Sequence, residues 1–452
     1  MGIMEKKHEK RWYVAFGLTA LVAITGLFWD HIKCATPTDF LPEDAINGAD
    51  TAWMLASSSL VLLMTPGLSF FYGGMVGKKN IISTMLQSFI CLGVISILWI
   101  VVGFSLAFGD SAITVNLGGT EYGLIGNINQ YAFFDNVDLA PHAKIASTIP
   151  FVLFAMFQMK FAIITPALIT GSFAERVRFI SYLLFICLFS IIIYTPLCHA
   201  VWYPDGILGS YFGVKDFAGG TVVHMSAGFA ALAGALFLGK RKDANHQPTN
   251  IPFVLLGTGL LWFGWFGFNA GSSLAANGVA AKAFATTTAA SAACMMTWIF
   301  FDRINGRKVS AMGACIGAVV GLVAITPGAG YVTVPESIFF GFISAIVSNL
   351  MVYWKKLKSF DDSLDVFACH GVGGIMGMIL TAIFADGENA SLLHGGWGVF
   401  GHHMTALVLV AIFSFFGAIG LYKLTNIMIP LRVSEEAEEM GLDLSQHDES
   451  IG

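Results

Sequence analysis

Charged side chains are scarce in this chain of 452 residues. Asp, Glu, Lys and Arg make up only 12% of it, whereas a water-soluble protein carries about 25%. Hydrophobic residues make up 56%, so too little polar surface remains to cover them in water. The composition therefore argues against a soluble domain and predicts a polytopic protein embedded in the lipid bilayer.

The chain also lacks a basic patch and a cysteine framework. Its 24 basic residues are outnumbered by 29 acidic ones, so we expect no nucleic-acid partner, because that binding needs clustered positive charge. No Cys-x-x-Cys pair occurs among the seven cysteines, which argues against structural zinc and a disulfide scaffold. No nucleophile with a partnered base and no metal-ligand spacing appears either. We expect no enzyme activity, no metal and no cofactor.

Long apolar runs, by contrast, recur along the chain. A helix needs about 20 residues to cross about 30 Å of hydrocarbon. Eleven such runs begin near Trp53, Ile82, Ile145, Ile180, Gly220, Pro252, Val279, Ser310, Ser337, Val366 and Met404. The sequence therefore predicts an all-α polytopic membrane protein with eleven core transmembrane helices.

A further apolar run precedes the core, from Trp12 to Phe28. Basic residues stand before it, which is the layout of a signal peptide or a signal anchor. No clear A-x-A cleavage site follows. Residues 1–35 are therefore either a signal peptide or an extra transmembrane segment, and the sequence leaves both open.

Basic residues alternate between loops, and this predicts the orientation, because cytoplasmic loops collect Lys and Arg. The intervening loops hold only Lys144, Lys215 and Lys282. We therefore expect the core to start outside the cell membrane and its C-terminus to be cytoplasmic. The fourteen residues assigned to the inside are Lys78, Lys79, Arg176, Arg178, Lys240, Arg241, Lys242, Arg303, Arg307, Lys308, Lys355, Lys356, Lys358 and Arg432.

Faint internal symmetry predicts two repeats, at about residues 49–240 and 251–388. The fifth helix of the first carries Thr221-Val222-Val223-His224, and the fifth of the second carries Phe367-Ala368-Cys369-His370-Gly371. An odd number of helices per repeat makes the second repeat inverted in the membrane. An eleventh helix at about 400–430 then braces the bundle, and a cytoplasmic tail follows at 431–452.

Ionisable residues inside a span are costly and indicate function. A single buried histidine is often only a hydrogen-bonded core residue, but His224 and His370 lie at symmetric places. Two imidazoles can share one proton, one nitrogen donating and the other accepting. Most of the 39 Phe residues pack against lipid or protein. Aromatic faces near the histidines, at Trp202, Phe161 and the run Trp262–Ser272, are placed to bind a cation.

Three polar positions each keep two interpretations. Asp216 either caps the start of the fifth helix or raises cation occupancy nearby. Lys160 either reaches the outer surface or pairs with an acid such as Asp138, or else its charge reaches the outer vestibule and opposes cation binding. The pair His402-His403 is either solvated or binds a stray metal ion.

Longer strings resemble the ammonium transporters of the Amt/Mep family. The resemblance extends from about Ala49 to about His447, so residues 49–430 are identified as an ammonium transporter membrane domain. The strings that carry it are Asp216–His224, Trp265–Ser272, Phe367–Gly374, Phe71–Gly74, Ala174–Phe179, Leu431–Glu436 and Gly441–Asp443.

The resemblance implies how the pore handles ammonium. Trp202 and Ser272 match an outer recruitment site, with Asp216 as its supporting carboxylate. Phe161 and Phe268 match an aromatic gate beneath that site. The family's pore is hydrophobic and conducts ammonia after ammonium loses a proton.

The same resemblance assigns the remaining positions and partners. His224 and His370 match the twin histidines of the pore, and Asp365 matches a structural acid. The family forms homotrimers in the cell membrane with one pore per protomer, and its tail region docks a PII-type signal protein. At Lys160, beside the gate, family members usually carry a small or uncharged residue. Two alternatives stay open: an Rh-type neutral ammonia channel, expected to lack the Trp202 and Ser272 pairing, and a low-flux ammonium sensor.

Overall fold

A computed structural model describes residues 3–29, 39–243, 248–357, 360–387 and 390–451. The end of the predicted 1–35 segment and Lys358 lie outside these residues. Helix α1 (Ile3–Leu27) precedes the core. The core helices are α2 (Gly48–Met75), α3 (Lys78–Phe108), α4 (Phe151–Phe173), α5 (Phe179–Trp202), α6 (Gly220–Leu238), α7 (Ile251–Gly271), α8 (Gly278–Ile304), α9 (Ala311–Ile325), α10 (Val334–Leu357), α11 (Phe367–Phe384) and α12 (Trp397–Met428).

These helices confirm the predicted eleven apolar segments. Among the described residues, ten are long and apolar enough to cross a membrane. The exception is α9, whose 15 residues rise only about 22 Å. It ends early because Pro327 and Gly328 follow, and the chain forms a turn there. The Pro327 carbonyl in this turn accepts the backbone N–H of Phe217 at 3.1 Å.

A β-hairpin that the sequence analysis did not predict lies in the loop between α3 and α4. Its strands, β1 (Ser111–Leu117) and β2 (Thr120–Gly126), pair antiparallel. The Ser111 hydroxyl lies 2.9 Å from Nε2 of His199 on α5, and the backbone N–H of Gly123 donates to the Asp205 carbonyl. These contacts fix the hairpin over the end of the bundle that the sequence analysis assigns to the outside.

Glycines allow two pairs of core helices to pack at backbone contact. A methyl group at Gly257 of α7 would lie 2.3 Å from the backbone nitrogen of Phe71 on α2. A methyl group at Gly228 of α6 would lie 2.2 Å from the backbone nitrogen of Gly371 on α11. Small residues at such crossings let membrane helices approach closely. Each pair joins corresponding helices of the two predicted repeats.

Helix α1 runs along the outside of the core. Arg11 donates to the Met428 carbonyl at the end of α12, and Trp12 stacks against Phe179 with ring centroids 6.4 Å apart. Near the other end, Trp29 stacks on Phe133 of the loop that holds the hairpin, at 4.3 Å. The 25 residues of α1 therefore extend along the length of the bundle. Both interpretations of residues 1–35 remain predictions.

The loops assigned to the cytoplasm meet at one end of the bundle. Arg241 donates to Asp361 at 2.8 Å and to Glu175 at 2.5 Å, and the buried Arg176 donates to the Asp361 carbonyl at 2.7 Å. Burial alone raises the pKa of Asp361, but the hydrogen bonds from Arg241 hold that pKa below its ordinary value. The ion pairs thus join the α4–α5, α6–α7 and α10–α11 connections.

The C-terminal tail packs under the same loops through helices α13 (Glu435–Met440) and α14 (Leu442–His447). Arg432 donates to the carbonyls of Leu238 and Lys240, at the end of α6, and pairs with Glu438 at 2.9 Å. Asp443 accepts the backbone N–H of Ser83 at 2.7 Å, near the start of α3. The tail is therefore bonded directly to the helix that carries His224.

Candidate functional site

A cavity of about 160 Å³ brings together residues from six segments of the chain. We name it the outer cavity because it lies at the end of the bundle that the sequence analysis assigns to the outside. Trp202 comes from the end of α5, Phe161 from α4 and Ser272 from the residue after α7. It is lined by Phe108, Lys144, Ile145, Phe154, Gln158, Phe161, Trp202, Pro204, Phe217, Ser272 and Leu274. Three of the predicted recruitment residues thus line one cavity.

Hydrogen bonds hold the polar and aromatic walls of this cavity. The Trp202 indole Nε1 donates to the Asp216 carbonyl at 2.9 Å, and its ring meets Phe161 edge-on, with centroids 5.9 Å apart. The Ser272 hydroxyl donates to the Phe268 carbonyl at 2.8 Å. Because that hydroxyl's proton is engaged, its oxygen is available as an acceptor. A small cation could meet an aromatic face and a hydroxyl oxygen here.

Two phenylalanines close the floor of the cavity. Phe161 and Phe268 stack with ring centroids 4.2 Å apart and an interplanar angle of 28°. Neither ring is more than 1% exposed. Below them, the ring of Phe268 lies 6.0 Å from that of His224. The stack therefore separates the outer cavity from the histidines.

The two histidines face each other below the stack. Their Nδ1 atoms lie 3.3 Å apart, and both side chains are buried. One Nδ1 must donate while the other accepts, so His224 and His370 hold complementary tautomers. Trp265 stacks on His224 at 5.4 Å and is itself fixed by a bond from its Nε1 to the Thr326 hydroxyl. His224 Nε2 has no hydrogen-bond partner in the described part of the chain.

Each histidine lies in a π-helical turn at the start of its helix. The turns are Gly220–Met225 and Phe367–Val372. Such turns are rare and concentrate at functional sites, because the extra residue redirects side chains. The two helices cross in opposite directions, since Gly374 lies against Gly220 while Gly371 lies against Gly228. The crossing brings the two imidazoles together.

Asp216 caps the start of α6. Its carboxylate accepts the backbone N–H groups of Gly219, Gly220 and Thr221 at 2.6–2.7 Å, and also the Thr221 hydroxyl. Gly219 adopts a φ of 122°, which a residue with a side chain rarely does. The side chain of Asp216 is only 5% exposed. The capping interpretation is the one these contacts support, and the backbone carbonyl of Asp216 also accepts the hydrogen bond of Trp202.

Asp362 caps the start of α11 in the same way. It lies eight residues before His370, as Asp216 lies eight before His224, and it accepts the N–H groups of Val366 and Phe367. Burial raises the pKa of Asp362 above its ordinary value, and the nearby Lys355 ammonium opposes this. The sequence analysis named Asp365 instead. Asp365 pairs with Lys355 at 2.5 Å.

Lys160 does not line the outer cavity. It is 9% exposed and opens into a separate groove between α2 and α4. Neither Asp138 nor any other described residue forms an ion pair with it. The cation at the cavity wall is instead Lys144, which pairs with Asp39 at 2.8 Å. That hydrogen bond lowers the pKa of Asp39.

The histidines at the start of α12 point in different directions. His402 is exposed and stacks on Tyr211 at 6.0 Å, whereas His403 is buried. No group of three or more His, Cys, Asp or Glu side chains suited to a metal ion occurs across the described ranges. His403 has no hydrogen-bond partner within those ranges.

Gln158 is a polar residue of the cavity wall that the sequence analysis did not name. It lies three residues before Phe161 on α4, lines the cavity and is 9% exposed. Its Oε1 makes no hydrogen bond to the described residues. Because the two ends of an amide exchange by rotation, Gln158 can offer the cavity a donor or an acceptor.

Comparisons with known proteins agree on one family. The model of the Ammonium Transporter Family matches residues 52–451. An ammonium transporter of Bacillus subtilis is 43% identical over 409 residues, 88% of this chain and 97% of that protein. Ammonium transporter Amt1 of Archaeoglobus fulgidus is 40% identical over 410 residues, 89% of this chain and 99% of that protein.

Two solved structures resemble the fold. The crystal structure of Candida albicans Mep2 superposes with a TM-score of 0.80 at 32% identity, covering 88% of this chain and 89% of that chain. A structure described as a sensor Amt protein gives a TM-score of 0.78 at 30% identity, covering 88% of this chain and 98% of that chain.

Proposed function

This chain belongs to the ammonium transporter family, and from that premise we propose that it carries ammonium across a membrane through a single pore in each protomer. Ammonium binds in the outer cavity, loses a proton beneath it, and passes as ammonia along the histidine-lined path to the cytoplasm. The observation that carries this proposal is the order of three features along one path. The outer cavity comes first, the stacked rings of Phe161 and Phe268 follow, and the paired histidines lie beyond the rings.

Recruitment rests on groups that replace water around a cation. The faces of Trp202 and Phe161 attract positive charge more strongly where water is scarce. The Ser272 oxygen accepts one ammonium N–H, and the Gln158 amide accepts a second. Asp216 adds negative charge behind Trp202, while its hydrogen bonds hold the cavity wall in place.

Selectivity follows from the apolar gate and pore. Burying an ion without compensating groups is costly, so the stack opposes passage of a charged species. Ammonium can give up a proton and continue as neutral ammonia, whereas potassium cannot. The paired imidazoles then offer hydrogen bonds to a small neutral permeant without adding a fixed charge.

The experiment that tests the function is uptake of ¹⁵N-labelled ammonium into liposomes that contain the purified chain. Saturable uptake above that of protein-free liposomes supports a transporter. The resemblance to the sensor Amt protein makes a low-flux sensor the second candidate. A low-flux sensor would bind ammonium saturably without taking it up into the liposomes. The neutral-channel alternative would show ammonia flux that never generates an electrical current.

A homotrimer in the cell membrane with its tail in the cytoplasm completes the proposal. The basic loops and the tail lie on one face of the molecule, as the orientation requires. Because this face is built from the loop ends of the pore helices, a protein that docks there can act on the pore. We propose a PII-type signal protein as that partner.

A pull-down with the full-length chain checks the partner. We expect a PII-type protein to be retained from nitrogen-replete cells in the presence of ADP, and an Arg432→Ala variant to retain it several-fold less. Arg432 holds the tail against α6, so its loss releases one side of the docking face. Absence of the partner both with and without ADP contradicts the proposal.

Lys144 and Asp39 give a prediction for affinity. Replacing Asp39 with Asn leaves the Lys144 charge unbalanced at the cavity wall, and we expect apparent ammonium affinity to fall about twofold, as for other exposed pairs. The loss should shrink at high salt, because screening acts over about 8 Å at physiological ionic strength. Lys144→Gln in the same background should restore the affinity.

The same pair predicts a pH profile. The hydrogen bond from Lys144 lowers the pKa of Asp39, and the same bond raises the pKa of Lys144. The pair is therefore lost only as the pH falls through the lowered pKa of Asp39 or rises through the raised pKa of Lys144. The pair should therefore add no pH dependence to wild-type affinity between pH 5 and pH 8. A midpoint near pH 6 that disappears in Asp39→Asn contradicts this assignment.

A further inference from the structure

Two segments of the chain are bonded to each other beside the outer cavity. One is residues 39–47, which precede α2, and the other is residues 141–148, which precede α4; we call the two segments together the outer clasp. The backbone N–H groups that join them, each at 2.8 Å, donate from Leu41 to Pro141, from Ala143 to Asp39 and from Asn47 to Thr148. Lys144 and Ile145 line the cavity, so the outer clasp holds part of the cavity wall.

His142 lies where the two segments meet α4. Its ring stacks on Phe151 of α4 with centroids 5.0 Å apart and meets Phe40 edge-on at 5.6 Å. Only 1% of the residue is exposed, and its Nδ1 has no hydrogen-bond partner in the part of the chain that the structure describes. One titratable side chain therefore connects both segments of the outer clasp to the start of α4.

A proton on His142 conflicts with this aromatic cage. The imidazolium carries an N–H on both ring nitrogens, so the buried Nδ1 would become a donor without an acceptor. A buried donor without a partner is costly, whereas a neutral imidazole can leave Nδ1 unprotonated. The charged ring reaches water only by leaving the two phenylalanines, and that movement separates the segments that the rings join.

The charged groups around His142 act on it in both directions. Burial lowers the pKa of His142 and Lys144 lowers it further, whereas Asp39 and Asp110 raise it without cancelling the effect of burial. Tyr131, which packs behind the aromatic cage, stays neutral because burial raises its pKa. In an open clasp the imidazole regains its ordinary pKa of about 6.5. The closed clasp is therefore fully stable above pH 6.5 and loses stability as the pH falls below that value.

We propose that His142 makes the outer clasp a pH-sensitive wall of the ammonium cavity, closed when the imidazole is neutral and opening when it is protonated. Opening admits water to the cavity, which weakens the attraction of its aromatic faces for a cation. The proton also adds positive charge to the clasp. Both effects lower ammonium affinity in acid. The link to ammonium rests on the proposed function, whereas the opening of the clasp does not.

Hydrogen–deuterium exchange of the purified full-length chain at pH 7 and pH 5.5 tests the opening, once the rates are corrected for intrinsic exchange at each pH. In wild type, opening of residues 39–47 and 141–148 should increase about threefold to tenfold, because the limit is about tenfold for each pH unit below 6.5. His142→Phe fills the cage without a titratable group, so its exchange should be equal at both pH values. His142→Gln, which is polar and neutral, should also show no pH response. His402→Phe changes an exposed outer histidine outside the clasp and should behave as wild type.

Ammonium uptake by liposomes at the same two external pH values tests the link to recruitment. From pH 7 to pH 5.5, apparent affinity should fall more in wild type and His402→Phe than in His142→Phe. In Asp39→Asn the fall should persist and begin at lower pH, because a charge that favours protonation of His142 is removed.

Three outcomes overturn the proposal. Equal clasp exchange at both pH values in wild type excludes opening by protonation, and the same acceleration in His142→Phe assigns the opening to another group. Clasp opening in wild type with an unchanged difference in affinity separates the clasp from recruitment. Absence of saturable uptake at both pH values contradicts the proposed function alone, because exchange still decides whether His142 opens the clasp.

Discussion

Replacing His224 with alanine is expected to abolish selective ammonium transport. His370 then loses the nitrogen that lies 3.3 Å away, and its buried Nδ1 is left without a partner. Leaving a buried polar group unpaired costs about 1–3 kcal/mol, and each 1.4 kcal/mol is a factor of ten. We therefore expect the ratio of ammonium flux to potassium flux, measured in liposomes, to fall about fivefold to a hundredfold.

His403→Ala is the matched control for this result. His403 is also a buried histidine in a core helix, but it lies on α12, outside the paired site. The control variant should keep wild-type selectivity even if it loses stability. Wild-type ammonium flux with intact potassium rejection in His224→Ala contradicts the role given to the histidine pair.

Replacing Asp216 with asparagine should impair both folding and transport. The two carboxylate oxygens accept three backbone N–H groups, and an amide nitrogen in place of one oxygen points a donor at other donors. We expect a loss of about 2–3 kcal/mol in the free energy of unfolding. Apparent ammonium affinity should also fall, because the negative charge beside Trp202 is removed and the cavity wall loosens.

Asp362→Asn separates these two effects. This variant removes the equivalent cap from the start of α11, the helix that carries His370. A comparable loss of thermal stability is therefore expected. Because Asp362 does not line the outer cavity, ammonium affinity should stay near the wild-type value while maximal flux falls. Equal losses of affinity in both variants, measured by uptake at varied ammonium concentration, contradict a recruitment role for Asp216.

The helices were the most predictable part of the fold. Apolar length alone located all eleven, because every span must satisfy its backbone hydrogen bonds internally within the hydrocarbon. The length of α9 was overestimated, because the apolar run continues through Pro327 and Gly330, where the chain folds into a turn. The hairpin Ser111–Gly126 was missed because its apolar runs are too short to span a membrane. The alternation of Ile113, Val115 and Leu117 before the turn Gly118-Gly119 is the signal that could have found it.

The site could be predicted from the sequence where a residue in one repeat has an equivalent residue in the other repeat. His224 and His370 could be predicted together because each lies on the fifth helix of its repeat and is followed by small residues. Asp362 was missed because the motif around His370 draws attention to Asp365. The eight-residue spacing shared with Asp216 is the signal that could have found it. Gln158 carried no such signal, because one amide among many polar residues does not reveal which cavity it faces.

The direction of a side chain was the part that sequence could not decide. Adjacent residues on a helix point about 100° apart, so Phe161 in the gate leaves several directions for Lys160. Only the packing of α2 against α4 shows that Lys160 opens into the groove and not the cavity. The π-helical turns likewise shift the register of both histidines by a residue that no periodicity predicts.

Electrical recording on liposomes that contain the purified chain, with ammonium nitrogen inside the liposomes measured in parallel, tests the central claim most directly. An inward ammonium gradient should give saturable nitrogen uptake, and an equal potassium gradient should give no current and no inhibition of that uptake. A potassium current comparable to the ammonium response, or ammonium uptake that potassium abolishes, contradicts a pore that admits ammonium by removing its proton.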